Sequence, residues 1–478
     1  MGAAMSERRV PCPRCGARIV EGARKCRACK GWLGERHRGS VGSLSGREPR
    51  LARAAVTVAS GVAAVIIATL TSLKSPVGEA PPLTALAPEG AASRAARDTA
   101  DDAPDPAAFG PDAAEPAPPP AEPKGPWRAR EFRIGDVHPL DVVFNPSGAS
   151  IYVSADDASL REYKLQSGEL IHKASMPAQG DHIRLLFDRY VAVLRHQDAA
   201  RIPVMDTTAW DRDPVLLDVG RTPGDIVALP DGRTVVAATT DTKRVTKFEL
   251  PTGVRLANIT LPHATGQLFL VQAEGRPYIA ALGALTHAGR PAGAWIDLFD
   301  PSESPFGATR RSIAVGREPR EGDITRDGGA VFFPDRLSNT AILLSVAGVT
   351  ETRKTPVGVG PTAGFLLDED RYGITLNAEA RTASVIDLST MQVKSTLPLR
   401  GVPLTGVTSP DRKTLFVALG GTQWPPVGSG VAVIAGDPPR VVASLPTGKG
   451  ACAVAVSKDG ARAVVASYWD RSITVLER

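Results

Sequence analysis

An all-β propeller over residues 127–478 is the fold the sequence predicts, on three observations. Short alternating apolar segments recur there, turn residues separate them, and no long helical pattern interrupts them. The segments come in fours with a period of about forty-three residues, which suits blades of four antiparallel strands. The last repeat holds three strands while an unassigned strand stands at the start of the array, so the two ends can complete one blade.

The clearest unit begins at Asp141-Val142-Val143-Phe144, turns at Asn145-Pro146-Ser147-Gly148 and rises through Ile151-Tyr152-Val153. It turns again at Asp156-Asp157, runs from Leu160 to Leu165, and is reversed by Gln166-Ser167-Gly168 into Leu170 to Ser175. The order returns at Ile226 to Leu229, with Pro230-Asp231-Gly232 as its first turn, and at Val407, with Ser409-Pro410-Asp411. First strands are expected near residues 140, 183, 226, 267, 322, 364, 406 and 453. Eight starts favour eight blades, and a seven-bladed ring with one non-blade repeat is the alternative. Cys452 to Val456, Ala463 to Ser467 and Ile473 to Leu476 form the last repeat, and Ala129 to Ile134 is the strand expected to close it.

With their Pro-Asp-Gly turns, and a Gly followed by Pro before the next blade as in Gly220 to Pro223 and Gly316 to Pro319, the repeats resemble bacterial surface-layer or YVTN-type propellers. The namesake tetrapeptide is absent, and Ile151-Tyr152-Val153-Ser154 only approaches it. Tyr468-Trp469-Asp470-Arg471-Ser472-Ile473 is locally similar to a WD40 blade, but the other blades do not repeat it. The resemblance implies a binding or scaffold role. It also admits a lactonase-like hydrolase, since similar propellers include such proteins.

Four cysteines precede the array, Cys12 and Cys15, then Cys26 and Cys29. Each pair two residues apart forms a knuckle that aims both thiolates at one ion, and two facing knuckles supply a closed tetrahedral zinc site. A segment this short has no core of its own, so a structural zinc would drive its folding. Residues 8–35, with Gly16, Ile19, Ala23, Gly31 and Trp32, resemble the short zinc ribbons at the N-termini of bacterial proteins. A closed site of four protein ligands leaves no position for catalysis.

Residues 54–73 are uncharged and rich in Ala, Val and Ile between Arg53 and Lys74. Their length is that of a transmembrane helix crossing about 30 Å of hydrocarbon. Residues 1–53 hold thirteen Lys/Arg against four Glu, whereas the fifty residues after Lys74 hold only Arg94, Arg97 and Lys124. The positive-inside rule then puts the N-terminus in the cytoplasm and the C-terminal part outside the plasma or inner membrane. Zinc thiolates suit a reducing compartment, and Cys452 has no intrachain disulfide partner, which agrees. Residues 76–126 contain thirteen Pro, fifteen Ala and nine Asp/Glu, with almost nothing apolar and large, and read as a disordered spacer.

Charge argues against nucleic acid as a partner. The net +5 divides into +9 for residues 1–53 and −4 for the rest, so the basicity is a topology signal beside the membrane. No nucleophile elbow, phosphate loop or HExxH occurs, and the sequence pairs no acid with a base. His138, His182, His196, His263 and His287 are dispersed without metal-ligand spacing and read as surface or structural residues, while Asp231 and Asp459 read as turn formers. Arg221, Arg317, Arg400 and Lys449 each follow a fourth strand and precede the next first strand, where connections gather on one face, and together they make a candidate cationic rim. The insertions Gly283 to Arg310 and Gly420 to Gly430 are expected on that same face.

The functional expectation is a single-pass membrane protein whose propeller binds a protein or a cell-envelope polymer. A cytoplasmic protein would be the partner of its zinc ribbon. Carboxylates and a histidine gathered at the axial channel would favour the hydrolase, and a basic or apolar rim would favour binding.

Overall fold

The computed structural model describes residues 9–11, 18–20 and 127–478, apart from 196–198, 274, 288–289, 347–351 and 424–427. In the first unit Arg9–Pro11 pairs antiparallel with Arg18–Val20, setting Val10 opposite Ile19. Cys12, Cys15, Cys26 and Cys29, the 54–73 segment and the 76–126 spacer lie outside the described residues, as does His196. Among the described residues no helix is long and apolar enough to cross a membrane.

The C-terminal part is a ring of eight four-stranded antiparallel sheets. Blade 1 consists of Pro139–Phe144, Ser150–Ala155, Ser159–Lys164 and Leu170–Ser175, paired in sequence order. The first strands of blades 2 to 8 start at His182, Pro223, Ala264, Asp323, Pro361, Pro403 and Ala451, within a few residues of the expected positions. Blade 8 differs in one respect. Its fourth strand is Arg128–Arg133, which pairs with Ser472–Glu477 and sets Phe132 opposite Ile473. The N-terminal strand therefore closes the ring as the sequence implied.

Burial explains why these segments are strands. Second strands are sandwiched between blades and are apolar or small throughout, as in Ser150–Ala155 and Thr414–Leu419, whose six residues are all buried. Fourth strands face solvent, and Leu170, Ile171, Val254 and Leu256 are exposed there. Each of the eight blade boundaries has its own apolar cluster. The cluster between blades 8 and 1 combines Ile151 and Val153 with Val464 and Val475, so that boundary is packed like the rest. The closing strand is further tied to blade 1, where Arg130 Nη2 donates to the Leu165 carbonyl at 2.5 Å and the Tyr163 hydroxyl donates to the Ile134 carbonyl at 2.9 Å.

The turns behave as the sequence indicates. Asp231 Oδ1 accepts from the backbone N–H groups of Arg233 and Thr234 at 3.1 and 2.8 Å, and Gly232 takes the positive φ of 74° that the turn requires. Asp459 accepts from the Ala461 N–H in the same way, at 3.0 Å.

One expectation is corrected. Residues 283–310 are not one loop on the rim face, because Arg276–His287 and Arg290–Phe299 are long paired strands that lift their hairpin at that end. Residues 300–310 then join the third strand to the fourth, which in an antiparallel blade is the opposite end, and Phe306 packs edge-on against Phe299 there. Periodicity cannot distinguish a longer hairpin from an inserted loop when the strands carry Gly and Ala, as Gly283, Ala284, Gly293 and Ala294 do.

Candidate functional site

First strands line the axis. In six blades the strand opens with a one-residue bulge, at Pro139/Asp141, Pro223/Asp225, Thr265/Gln267, Pro361/Ala363, Pro403/Thr405 and Ala451/Ala453. A bulge re-aims the residue after it. In blade 5 the bridge Pro319↔Asp335 gives Glu321 the same place, and in blade 2 His182 reaches that level, with Nδ1 at 2.7 Å from Asp141 Oδ2. One tier of the ring thus carries Asp141, His182, Asp225, Gln267 and Glu321 on blades 1 to 5, and Ala363, Thr405 and Ala453 on blades 6 to 8. These strands surround a cavity of about 1190 Å³ whose wall is polar on the side of blades 1 to 5 and mostly apolar or small on the other.

Three of the polar residues also hold blades together. Asp141 Oδ2 accepts from the Ile183 N–H of blade 2 at 2.9 Å, Asp225 Oδ2 from the Leu268 N–H of blade 4 at 3.0 Å, and Gln267 Oε1 from the Gly322 N–H of blade 5 at 3.2 Å. At the next boundary the Gly364 N–H donates to the Glu321 carbonyl at 2.8 Å, and the Leu366 N–H donates to Asp323 Oδ2 at 3.1 Å. The Glu321 carboxylate is consequently not needed for this link, and it makes no hydrogen bond within the described residues.

Arg184 lies two residues beyond His182 on the same strand. Its Nε donates to Asp225 Oδ1 at 3.4 Å, and its two terminal nitrogens make no hydrogen bond within the described residues. Burial works against the Arg184 charge, but the carboxylates of Asp225, Glu321 and Asp141 outweigh it and hold the guanidinium above its ordinary pKa. Burial also pushes the Glu321 carboxyl above the usual glutamate range, an effect that Arg184 and His182 only partly offset. Cys452, on the same wall, is pushed up to about 12 by burial and is an inert thiol. Among the described residues no three of His, Cys, Asp and Glu converge as a metal site.

The residues singled out from sequence lie elsewhere. Arg221, Arg317, Arg400 and Lys449 are exposed in the connections between blades, as expected. Arg221 lies 4.0 Å from Asp241, the Arg317 N–H donates to Asp335 at 2.6 Å, and the Lys449 N–H donates to Asp470 at 2.9 Å. His138 and His263 are structural, stacked on Tyr468 and Trp295 with centroid distances of 4.5 and 4.2 Å. His182 departs from that reading, because the ring brings it to Asp141 across a blade boundary. The channel residues carried one faint sequence signal, the recurring Pro-x-acid of Pro139-Leu140-Asp141, Pro223-Gly224-Asp225 and Pro319-Arg320-Glu321 at the head of a first strand.

No protein-family model matches the chain, and no curated protein matches it. Solved structures do share its architecture. A chain of Kuenenia stuttgartiensis hydrazine synthase is similar at 14% identity with a TM-score of 0.50, covering 72% of this chain and 96% of that one. At that identity the likeness concerns the propeller fold alone.

Proposed function

We propose that this protein is a binding propeller whose recognition site is the axial channel. A single membrane span would anchor it, and a zinc ribbon on Cys12, Cys15, Cys26 and Cys29 would lie on the cytoplasmic side. The observation that carries the binding reading is the pair of polar groups in the cavity that the fold does not engage, the terminal nitrogens of Arg184 and the carboxyl of Glu321. Both groups line the open channel and neither is spent on a hydrogen bond of the fold, so a ligand can take the place of the water they meet there. The cavity, about 1190 Å³, has room for a segment of a protein or envelope polymer as well as for a smaller molecule.

Ligand-dependent thermal stabilisation of the full chain tests this reading. Thr405→Phe, which narrows the channel from blade 7, should abolish the stabilisation, whereas Arg317→Ala on the rim should leave it intact. The reverse pattern would move the site to the connecting loops.

A second reading, a lactonase-like hydrolase, draws on the Asp141–His182 contact at 2.7 Å, which could orient the imidazole as a general base beside Arg184. Lactone turnover that disappears in His182→Gln would favour it.

A further inference from the structure

We propose that the axial channel takes a zwitterionic ligand, one molecule presenting a carboxylate to Arg184 and an ammonium group to Glu321. This deepens the channel-binding reading and rests on it.

The two unengaged groups have opposite requirements. Arg184 approaches Asp225 through Nε at 3.4 Å, which leaves both terminal nitrogens for an acceptor. That edge matches a carboxylate, which can take two parallel N–H donors. Glu321 lines the same cavity as Arg184 and its carboxyl makes no hydrogen bond within the described residues. Its carboxylate suits an ammonium.

Charge balance excludes the simpler ligands. Six carboxylates line the cavity, those of Asp141, Asp181, Asp225, Asp241, Glu318 and Glu321, against the three cations of Arg184, Arg320 and Lys458. A purely anionic ligand would meet that surplus of negative charge. A purely cationic ligand would leave the Arg184 edge bare, and a neutral polyol would leave both signs uncompensated. A molecule carrying both charges satisfies both groups at once. Thr405, Ala453 and Leu404 on the facing wall offer small and apolar surface to the rest of it. Free amino acids and short peptides with free ends share this chemistry.

The test is calorimetric titration of the full chain with alanine and with trialanine, beside N-acetyl-trialanine, trialanine amide and the neutral sugar maltotriose. Binding of alanine or trialanine is expected, with either blocked form at least tenfold weaker. Preference between the two free forms identifies amino acid or peptide as the source. Arg184→Gln and Glu321→Gln should each weaken the free form at least tenfold. If Arg184→Gln fails to fold with Asp225 unpaired, Glu321→Gln decides, because that carboxylate makes no hydrogen bond to lose. No binding by either free form, or blocked forms that bind within threefold of trialanine, would overturn the proposal. Maltotriose binding that Thr405→Phe abolishes would overturn it too while leaving the channel as the site. Loss of every ligand would remove both readings.

Discussion

Because burial keeps the Glu321 carboxyl protonated to higher pH than in the unfolded chain, the folded state binds more protons across that window. Arg184 and His182 favour its charged form, while Asp141 and Asp225 oppose it. A raised acid pKa works in the opposite direction from a salt-bridged carboxylate. Its effect is absent below about pH 4, where both states are protonated. The destabilisation then grows as pH rises through the folded-state value. Glu321→Gln should therefore raise the melting temperature at pH 7 and leave it unchanged near pH 3.5, as read by scanning calorimetry. An equal shift at both pH values would show that the substitution acts through packing and not through charge. A residue that weakens the fold while remaining available in a cavity is what a binding site asks of its scaffold.

Strands were legible where they carry their own pattern. Second strands such as Ile151-Tyr152-Val153 and Leu415 to Ala418 are apolar runs bounded by Asp, Gly and Pro turns, and those features are local. The channel was not legible for the same reason. Asp141 and His182 lie about one repeat apart in sequence and meet only because a bulge turns the first and ring closure sets the second beside it. No spacing rule signals a contact between blades. The closing strand is the element with the clearest test. A chain beginning at Gly125 should be a soluble monomer, whereas one beginning at Gly135 lacks Arg128–Arg133 and leaves Ser472–Glu477 as an unpaired edge. The shorter chain should melt lower and aggregate, as followed by light scattering during a thermal ramp. Matching melting curves would mean that this pairing contributes little to the ring.

At the scale of the whole chain the charge is divided, +9 in residues 1–53 and −4 beyond. The single-span proposal predicts that Ser6→Cys is shielded from an impermeant thiol reagent in intact cells, while Ser147→Cys reacts once the reagent reaches the membrane surface. The reversed pattern would overturn the orientation and the reducing compartment on which the zinc proposal leans. The full chain should also carry one equivalent of zinc by elemental analysis, and Cys26→Ser should release it. Retention of the metal by that variant would refute the four-thiolate site.

Ring closure also sets a schedule for synthesis. Arg128–Arg133 leaves the ribosome before any blade, yet its partner Ser472–Glu477 is made after every other strand of the ring. At roughly 5–20 residues per second this strand waits on the order of 20–70 s with its hydrogen-bonding edge uncovered. Its sequence, Arg-Ala-Arg-Glu-Phe-Arg, is dense in charge for a strand that ends up paired. Three arginines and a glutamate in six residues make it a poor template for other nascent strands, so the composition that keeps this segment soluble while it waits is built into the piece that finally seals the ring.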